Sequence, residues 1–312
     1  MMNNSRFFFL WLLICPVLLS ASTALPFPPG ETLHYKLSYR GILTTMIWAD
    51  IADATVTYLP NQSTLDKQYG RQFVLSLSTE NYTKAEFIHP VRYTYTTTLD
   101  NDLKKTLQVE KMDQGKSQSH DVLYLDWVHK KTLLYKKREK ETVSSGLLNL
   151  DRHDVWEADG AQEIPDFLKK YPLLDNNLSY FIFDETGDNI SYSQILDPLS
   201  LIYRLRTLPE ATKQDEIAII IADDIYLYQI RQQGMEKIKV SGKTYQTIKY
   251  RINTKDKPED FFYVWISQDQ QKLPVRMSMD APLGKLEIDL QQVSQSLVSD
   301  QKHQSLTSAS TK

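Results

Sequence analysis

Asp50 with Asp53, and Asp223 with Asp224, are carboxylate pairs close enough in the chain to suggest acid/base chemistry, in which one carboxyl gives a proton while its neighbour stays ionised. The spacing argues against both pairs. Residues three apart on a strand point to opposite faces, and Asp223-Asp224 stand between two apolar runs, where a turn favours Asp for backbone reasons. The histidines, His34, His89, His120, His129, His153 and His303, show no His-x-His and no His-Glu-x-x-His, so no metal is expected. Cys15 is the one cysteine. With no Gly-x-Ser-x-Gly elbow, phosphate loop or dinucleotide fingerprint, no cofactor is expected and no catalytic residue stands out. What remains is a set of aromatic and cationic groups in apolar settings: Trp48, Tyr203, Arg206 and Trp265. The guanidinium of Arg206 must find a carboxylate, carbonyls or a ligand once buried. The three aromatics are core residues first, and line a ligand pocket only if the sheet encloses more space than its side chains fill.

The element that positions Tyr203 and Arg206 is a helix. Asp197 offers a side-chain oxygen to free N–H groups of the first turn, and Pro198 occupies the first helical position, where a missing N–H costs nothing. Leu201, Leu205 and Leu208 fall on one side, with Leu199, Ile202, Tyr203 and Arg206 beside them, so apolar groups cover more than half the circumference. Pro209 ends it. A helix that apolar packs against something large.

Nearly everything else alternates with period two. Strands are expected at 32–40, 45–58, 72–79, 91–99, 103–111, 121–128 and 132–138, with Trp48, Asp50, Ala52, Ala54 and Val56 on one face of the second. After the helix they resume at 217–222, a continuous apolar run, then 225–231, 235–240, 243–251, 261–266, 273–279 and 285–290. Short connections make neighbours antiparallel. The fold class is therefore mainly β: an antiparallel β-barrel or sandwich of about a dozen strands with one or two short helices inserted. One domain spans 25–290, with halves at about 25–140 and 195–290. Between them 141–194 is irregular, with a short helix expected at 163–174, and 291–312 reads as a disordered polar tail.

The first 24 residues read as a secretory signal peptide: Arg6, an apolar run from Phe7 to Leu19, then Ser22-Thr23-Ala24 as a cleavage site. Cleavage after about Ala24 would leave no transmembrane span and no cysteine, which fits a bacterial periplasm. The 36 Lys and Arg against 39 Asp and Glu are spread along the chain, so no basic field exists to hold nucleic acid.

Asp197-Pro198-Leu199-Ser200 running into Leu201-Ile202-Tyr203-Arg204-Leu205-Arg206, then Phe262-Tyr263-Val264-Trp265-Ile266-Ser267, Leu273-Pro274-Val275-Arg276 and Pro282-Leu283-Gly284-Lys285-Leu286, resemble the DUF3108 family of exported bacterial proteins. Pro29-Gly30-Glu31-Thr32-Leu33-His34-Tyr35 and Ser38-Tyr39-Arg40-Gly41-Ile42 are similar to that family's opening strand, although Leu43-Thr44-Thr45-Met46 replaces the usual small turn. The resemblance implies a β-rich envelope protein with no assigned activity, and supplies no catalytic residues. The function expected is non-enzymatic binding of an apolar or envelope-derived ligand, or docking on an envelope protein partner. The alternatives are a cell-wall glycan enzyme using paired carboxylates and a purely structural envelope interaction protein.

Overall fold

The computed structural model describes residues 25–44, 46–64, 68–115, 119–128, 131–138, 178–182, 193–209, 212–221, 224–281 and 283–295. The expected signal segment, the helix at 163–174, most of 141–194, Asp223 and the chain beyond 295 lie outside them.

Alternation becomes strands in chain order: β1 Glu31–Gly41, β2 Trp48–Ser63, β3 Tyr69–Ser78, β4 Arg92–Leu99, β5 Thr106–Asp113, β6 Ser119–Asp126, β7 Lys131–Arg138, β8 Leu178–Ile182, β9 Ile195–Leu196, β10 Gln214–Ile221, β11 Asp224–Val240, β12 Lys243–Thr254, β13 Phe261–Ser267, β14 Pro274–Ala281 and β15 Gly284–Gln295. Helices are α1 Thr83–Ile88 and α2 Pro198–Thr207. The strands make one 15-stranded sheet, ordered β8-β7-β6-β5-β4-β3-β2-β1-β15-β14-β13-β12-β11-β10-β9. Pairing is antiparallel except for β9 beside β10. The two expected halves are thus one sheet, sewn together where β1 pairs with β15 from Glu31↔Gln295 to Gly41↔Gly284. That pairing carries the last strand to Gln295, past the expected start of the polar tail.

The expected 225–231 and 235–240 prove to be one strand, β11, with a bulge between Gln232 and Gly234. Gly234 has φ +132, a conformation that side chains resist, and so it lets the strand bend without breaking. A second bulge, between Leu59 and Gln62, absorbs Pro60 and carries β2 on to Ser63.

The sheet curls around its apolar face. Buried Leu33, Tyr35, Leu37, Ala54, Val56, Val109, Ile219, Val264 and Val275, drawn from strands far apart in the order, belong to one core. The ladder does not close into a full ring. A lone parallel bridge, Lys105↔Ile195, links the start of β5 to β9.

Helix α2 enters at that junction and runs to the end of the curl where β1 begins. Asp197 caps it, accepting from the backbone N–H groups of Leu199 and Ser200 at 3.0 and 3.2 Å. Leu201 and Leu205 are 1% and 2% exposed, so the greasy face is inside as the pattern demands. At the far end Arg206 donates to both oxygens of Glu31, at 2.5 and 2.9 Å, and to the carbonyl of Gln271 at 2.8 Å. Phe27 and Tyr203 flank the guanidinium, with ring centroids 4.6 and 5.2 Å from it. Phe27, Tyr58, Phe73 and Tyr203 pack edge-on or face-on against one another and plug this end.

Removing one member of a buried ion pair strands the other, at roughly 3–5 kcal/mol, whereas replacing both with apolar groups is far milder. Glu31→Ala is therefore expected to lower the unfolding free energy from urea titration by about that amount, and Glu31→Leu combined with Arg206→Met to recover most of it. Equal loss in the single and double variants would contradict the assignment.

Candidate functional site

Above the plug the curled sheet encloses a cavity of about 570 Å³, within the range of small-molecule sites. Its walls come from β1 to β5, β10, β11, β13, β14 and β15, and its floor is the first turns of α2, from Pro198 to Tyr203. Leu33, Leu37, Leu75, Leu77, Met277, Met279 and Ile288 set its character. Period-two alternation puts these residues on one face of each strand.

Two tyrosines of the wall turn their hydroxyls toward protein partners. Tyr35 donates to the carbonyl of Pro274 at 3.0 Å and Tyr95 donates to Asp197 Oδ1 at 3.0 Å. The Tyr203 phenol lies near Arg206 and Glu31. Burial, above all, raises these three phenols well above the ordinary tyrosine value. Tyr93 is pushed up to about 12, chiefly by burial and then by Asp121 and Asp113. Among the described residues the lining holds one charged side chain, Lys111, whose ammonium lies 5.7 Å from the Tyr95 ring. In the strand register Lys111 stands directly opposite Asp121.

Asp197 does more than cap. Its Oδ2 accepts from Thr97 Oγ1 at 2.6 Å, Thr106 Oγ1 at 3.2 Å and the hydroxyl of Ser200. The cavity floor is thereby pinned to β4 and β5. Neither Thr97 nor Thr106 was legible as a partner, since nothing in a strand's alternation says which buried threonine will meet a carboxylate.

Of the aromatic and cationic candidates, the structure brings Tyr203 alone to the cavity. Arg206 is fully buried in its pair with Glu31 and is not among the residues that line the cavity. Trp265 sits on the outer face, 7% exposed, with its indole N–H donating to Glu236 at 2.8 Å and Lys249 5.0 Å over its ring. Trp48 is 40% exposed and lines nothing. A bulge between Leu37 and Ser38 explains it: opposite that step Ile51 is skipped, and Asp50 and Trp48 swing outward. The same slip puts Asp50 and Asp53 on one face after all, contrary to simple spacing. Both are already engaged there, Asp50 with Ser38 and Lys36, Asp53 with Asn81 and Tyr82. Asp224 begins β11 and accepts from Tyr226.

Exposed apolar groups gather at the end of the curl away from α2: Ile42, Met46, Ile47, Phe87, Ile88 and Leu283. Among the described residues no cluster of His, Cys, Asp or Glu could hold a metal ion, and no helix is long and apolar enough to cross a membrane.

A phenol raised by burial keeps its proton in the folded chain after the unfolded chain has lost it. Stability is therefore intact below about pH 10 and falls above it, by up to about 1.4 kcal/mol per pH unit for each such tyrosine. The urea midpoint is expected to hold between pH 7 and 9 and drop steeply past pH 10. Tyr95→Phe should cost about 1.5–3 kcal/mol at neutral pH, for the lost bond to the Asp197 carboxylate, and make the alkaline slope shallower. An unchanged slope would show that Tyr95 ionises freely.

The family model of DUF3108, a protein of unknown function, matches residues 178–291 and bears out the resemblance read from the motifs in that stretch. No curated protein is similar enough to count as a match. Among solved structures, the chain is similar to a β-barrel-like protein of domain of unknown function DUF1849 from Brucella abortus, at 10% identity and a TM-score of 0.47, over 88% of this chain and 100% of that one.

Proposed function

We propose that this DUF3108-like chain is a non-enzymatic binding protein that carries an apolar, envelope-derived molecule in the cavity above α2. The observation that carries the reading is the void itself: about 570 Å³, walled mostly by apolar side chains, with the hydroxyls of Tyr35 and Tyr95 turned to protein partners. Burying a methylene there is favourable by about 0.8 kcal/mol, so a ligand of modest length gains affinity without any specific polar contact. The periplasm as its place of work rests on the signal-like pattern of residues 1–24.

The glycan-enzyme alternative draws no support from Asp50 and Asp53. They lie on the outer face, away from the cavity, and each already accepts from neighbouring donors. Docking on an envelope partner has one observation in its favour, the exposed apolar groups at the end opposite the plug, since such groups clustered on a surface mark interaction sites.

Native mass spectrometry of the protein purified from a bacterial periplasm is expected to show a co-purified apolar molecule, one per chain. Met277→Trp, which fills the void from a wall residue that is not fully buried, should weaken binding of the naphthylamine dye N-phenyl-1-naphthylamine at least tenfold and shift the urea midpoint little. Dye binding untouched by Met277→Trp would place the ligand elsewhere.

A further inference from the structure

We infer that the joined tips of the β1–β2 and β14–β15 hairpins dock on the surface of a phospholipid bilayer and dip their apolar side chains below its phosphates. This holds whatever the cavity carries.

The sequence leaves the first tip uncharged: from Ile42 to Trp48 there is no Lys, Arg, Asp or Glu. Ile42, Met46 and Ile47 are 64%, 59% and 68% exposed, and Leu283 on the neighbouring tip is 65% exposed. Water penalises every one of them. Two of the four also hold a backbone conformation that side chains resist, Met46 at φ +62 and Leu283 at φ +63, where glycine fits with less strain. Neither burial nor backbone preference accounts for apolar residues there. Both tips are nevertheless held firmly. The Leu283 carbonyl accepts from the Tyr39 hydroxyl at 3.0 Å and from the Ile42 N–H at 3.2 Å, and the Met46 N–H donates to the Gly41 carbonyl at 2.8 Å. Apolar groups fixed in this way lose little freedom on entering another phase.

What stands behind the tips identifies that phase. In the register Arg40 is opposite Trp48 on one side and Lys285 on the other, and Lys285 is opposite Asp280, so one row crosses four strands. Like charges directly opposite each other weaken a sheet. Both cations are exposed, and the Asp280 carboxylate is 3.9 Å from the Lys285 ammonium. Arg40 also steadies the tip, donating from Nε to the Met46 carbonyl at 3.0 Å. An apolar tip backed by a Trp and two cations matches the order in which a bilayer presents hydrocarbon, interface and phosphate. The depth agrees. Ile42 is two residues past Arg40, at most about 7 Å at the rise of a strand, and interfacial segments sink about 5–10 Å. A protein partner fits less well, because a stable interface takes about 20–30 residues a side and these two turns offer a handful of apolar side chains.

The test uses the full chain carrying Cys15→Ser, which leaves no native cysteine, with a nitrobenzoxadiazole label on Ile47→Cys or on Tyr69→Cys. Tyr69 is equally exposed, at 68%, and lies at the other end of β2, opposite Ser63. On vesicles of phosphatidylcholine with phosphatidylglycerol, emission from the Ile47 label is expected to rise at least threefold and to be quenched by a spin label on the lipid acyl chains. The Tyr69 label should do neither. Each label reports its own surroundings, so vesicles held only through the apolar run of Phe7 to Leu19 leave the Ile47 label in water. Met46→Gly combined with Leu283→Gly, which suits the backbone at both positions, should raise the lipid concentration at half effect at least tenfold and leave the urea midpoint unchanged or higher. Lys285→Gln should raise it about threefold, again without loss of stability. An Ile47 label that stays in water, equal responses from the two labels, or a half-effect concentration indifferent to the glycine pair would overturn the inference. So would a response that requires envelope proteins in the vesicles, which would give the tips to a protein partner.

Discussion

The carboxylate of Asp197 is the point on which the architecture turns. It has no exposure to solvent, and an ionised carboxyl in that setting is tolerable only if its lone pairs are met by donors. They are met from every direction: two backbone N–H groups of α2, the Ser200 hydroxyl, Tyr95 and Thr97 on β4, and Thr106 on β5. Segments about a hundred residues apart are thereby fixed to one side chain. A neutral cap would start the helix equally well but would not dictate which strands it starts against. The helix axis is set at its other end by Arg206, whose pairing with Glu31 ties it to the first residue of β1.

With both ends fixed, the void is a matter of lengths. Ten helical residues rising about 1.5 Å each make about 15 Å. Strand β1 has eleven residues at about 3.3 Å each, or about 36 Å along the strand; a tilt of about 40° still leaves the wall nearly twice as tall as the helix. The aromatic cluster of Phe27, Tyr58, Phe73 and Tyr203 fills the level of the helix. Above it the walls carry Leu, Val, Met and Ala, with no second plug among the described residues. The cavity is what remains when a short helix is anchored at the bottom of a tall sheet.

Much of this was readable in the sequence because it depends on local rules. Asp197-Pro198 marks a helix start through backbone hydrogen bonding alone, and Leu201 and Leu205 must be buried because a stripe so wide cannot face water. Strand existence was legible for the same reason, except for β8 and β9, which fall where no strand was expected. Bulges were not: the skip at Ile51 depends on how β2 pairs with β1, and it reversed the expected facing of Trp48 and Asp50, bringing Asp50 to the face of Asp53. The joining of β1 to β15 was hidden too, because composition does not say which strands of a long meander will meet. Trp265 shows the limit most plainly. An aromatic on an alternating strand is on one face or the other, and here Lys249 and Glu236 cover it on the outside.

The distribution of charge is what the proposed binding role rests on. A general acid or base needs a proton it can give up and a partner that changes along the reaction. The buried carboxylates, Glu31 and Asp197, are saturated by donors from the protein, and the wall phenols hold their protons more tightly than usual because burial penalises the phenolate. Groups so committed stabilise a scaffold; they do not turn over. What the interior offers an incoming molecule is apolar area held open by fixed walls, and such area rewards hydrocarbon in proportion to what it hides from water. On the proposed reading, selectivity comes from size and from the polar border where Lys111 stands opposite Asp121.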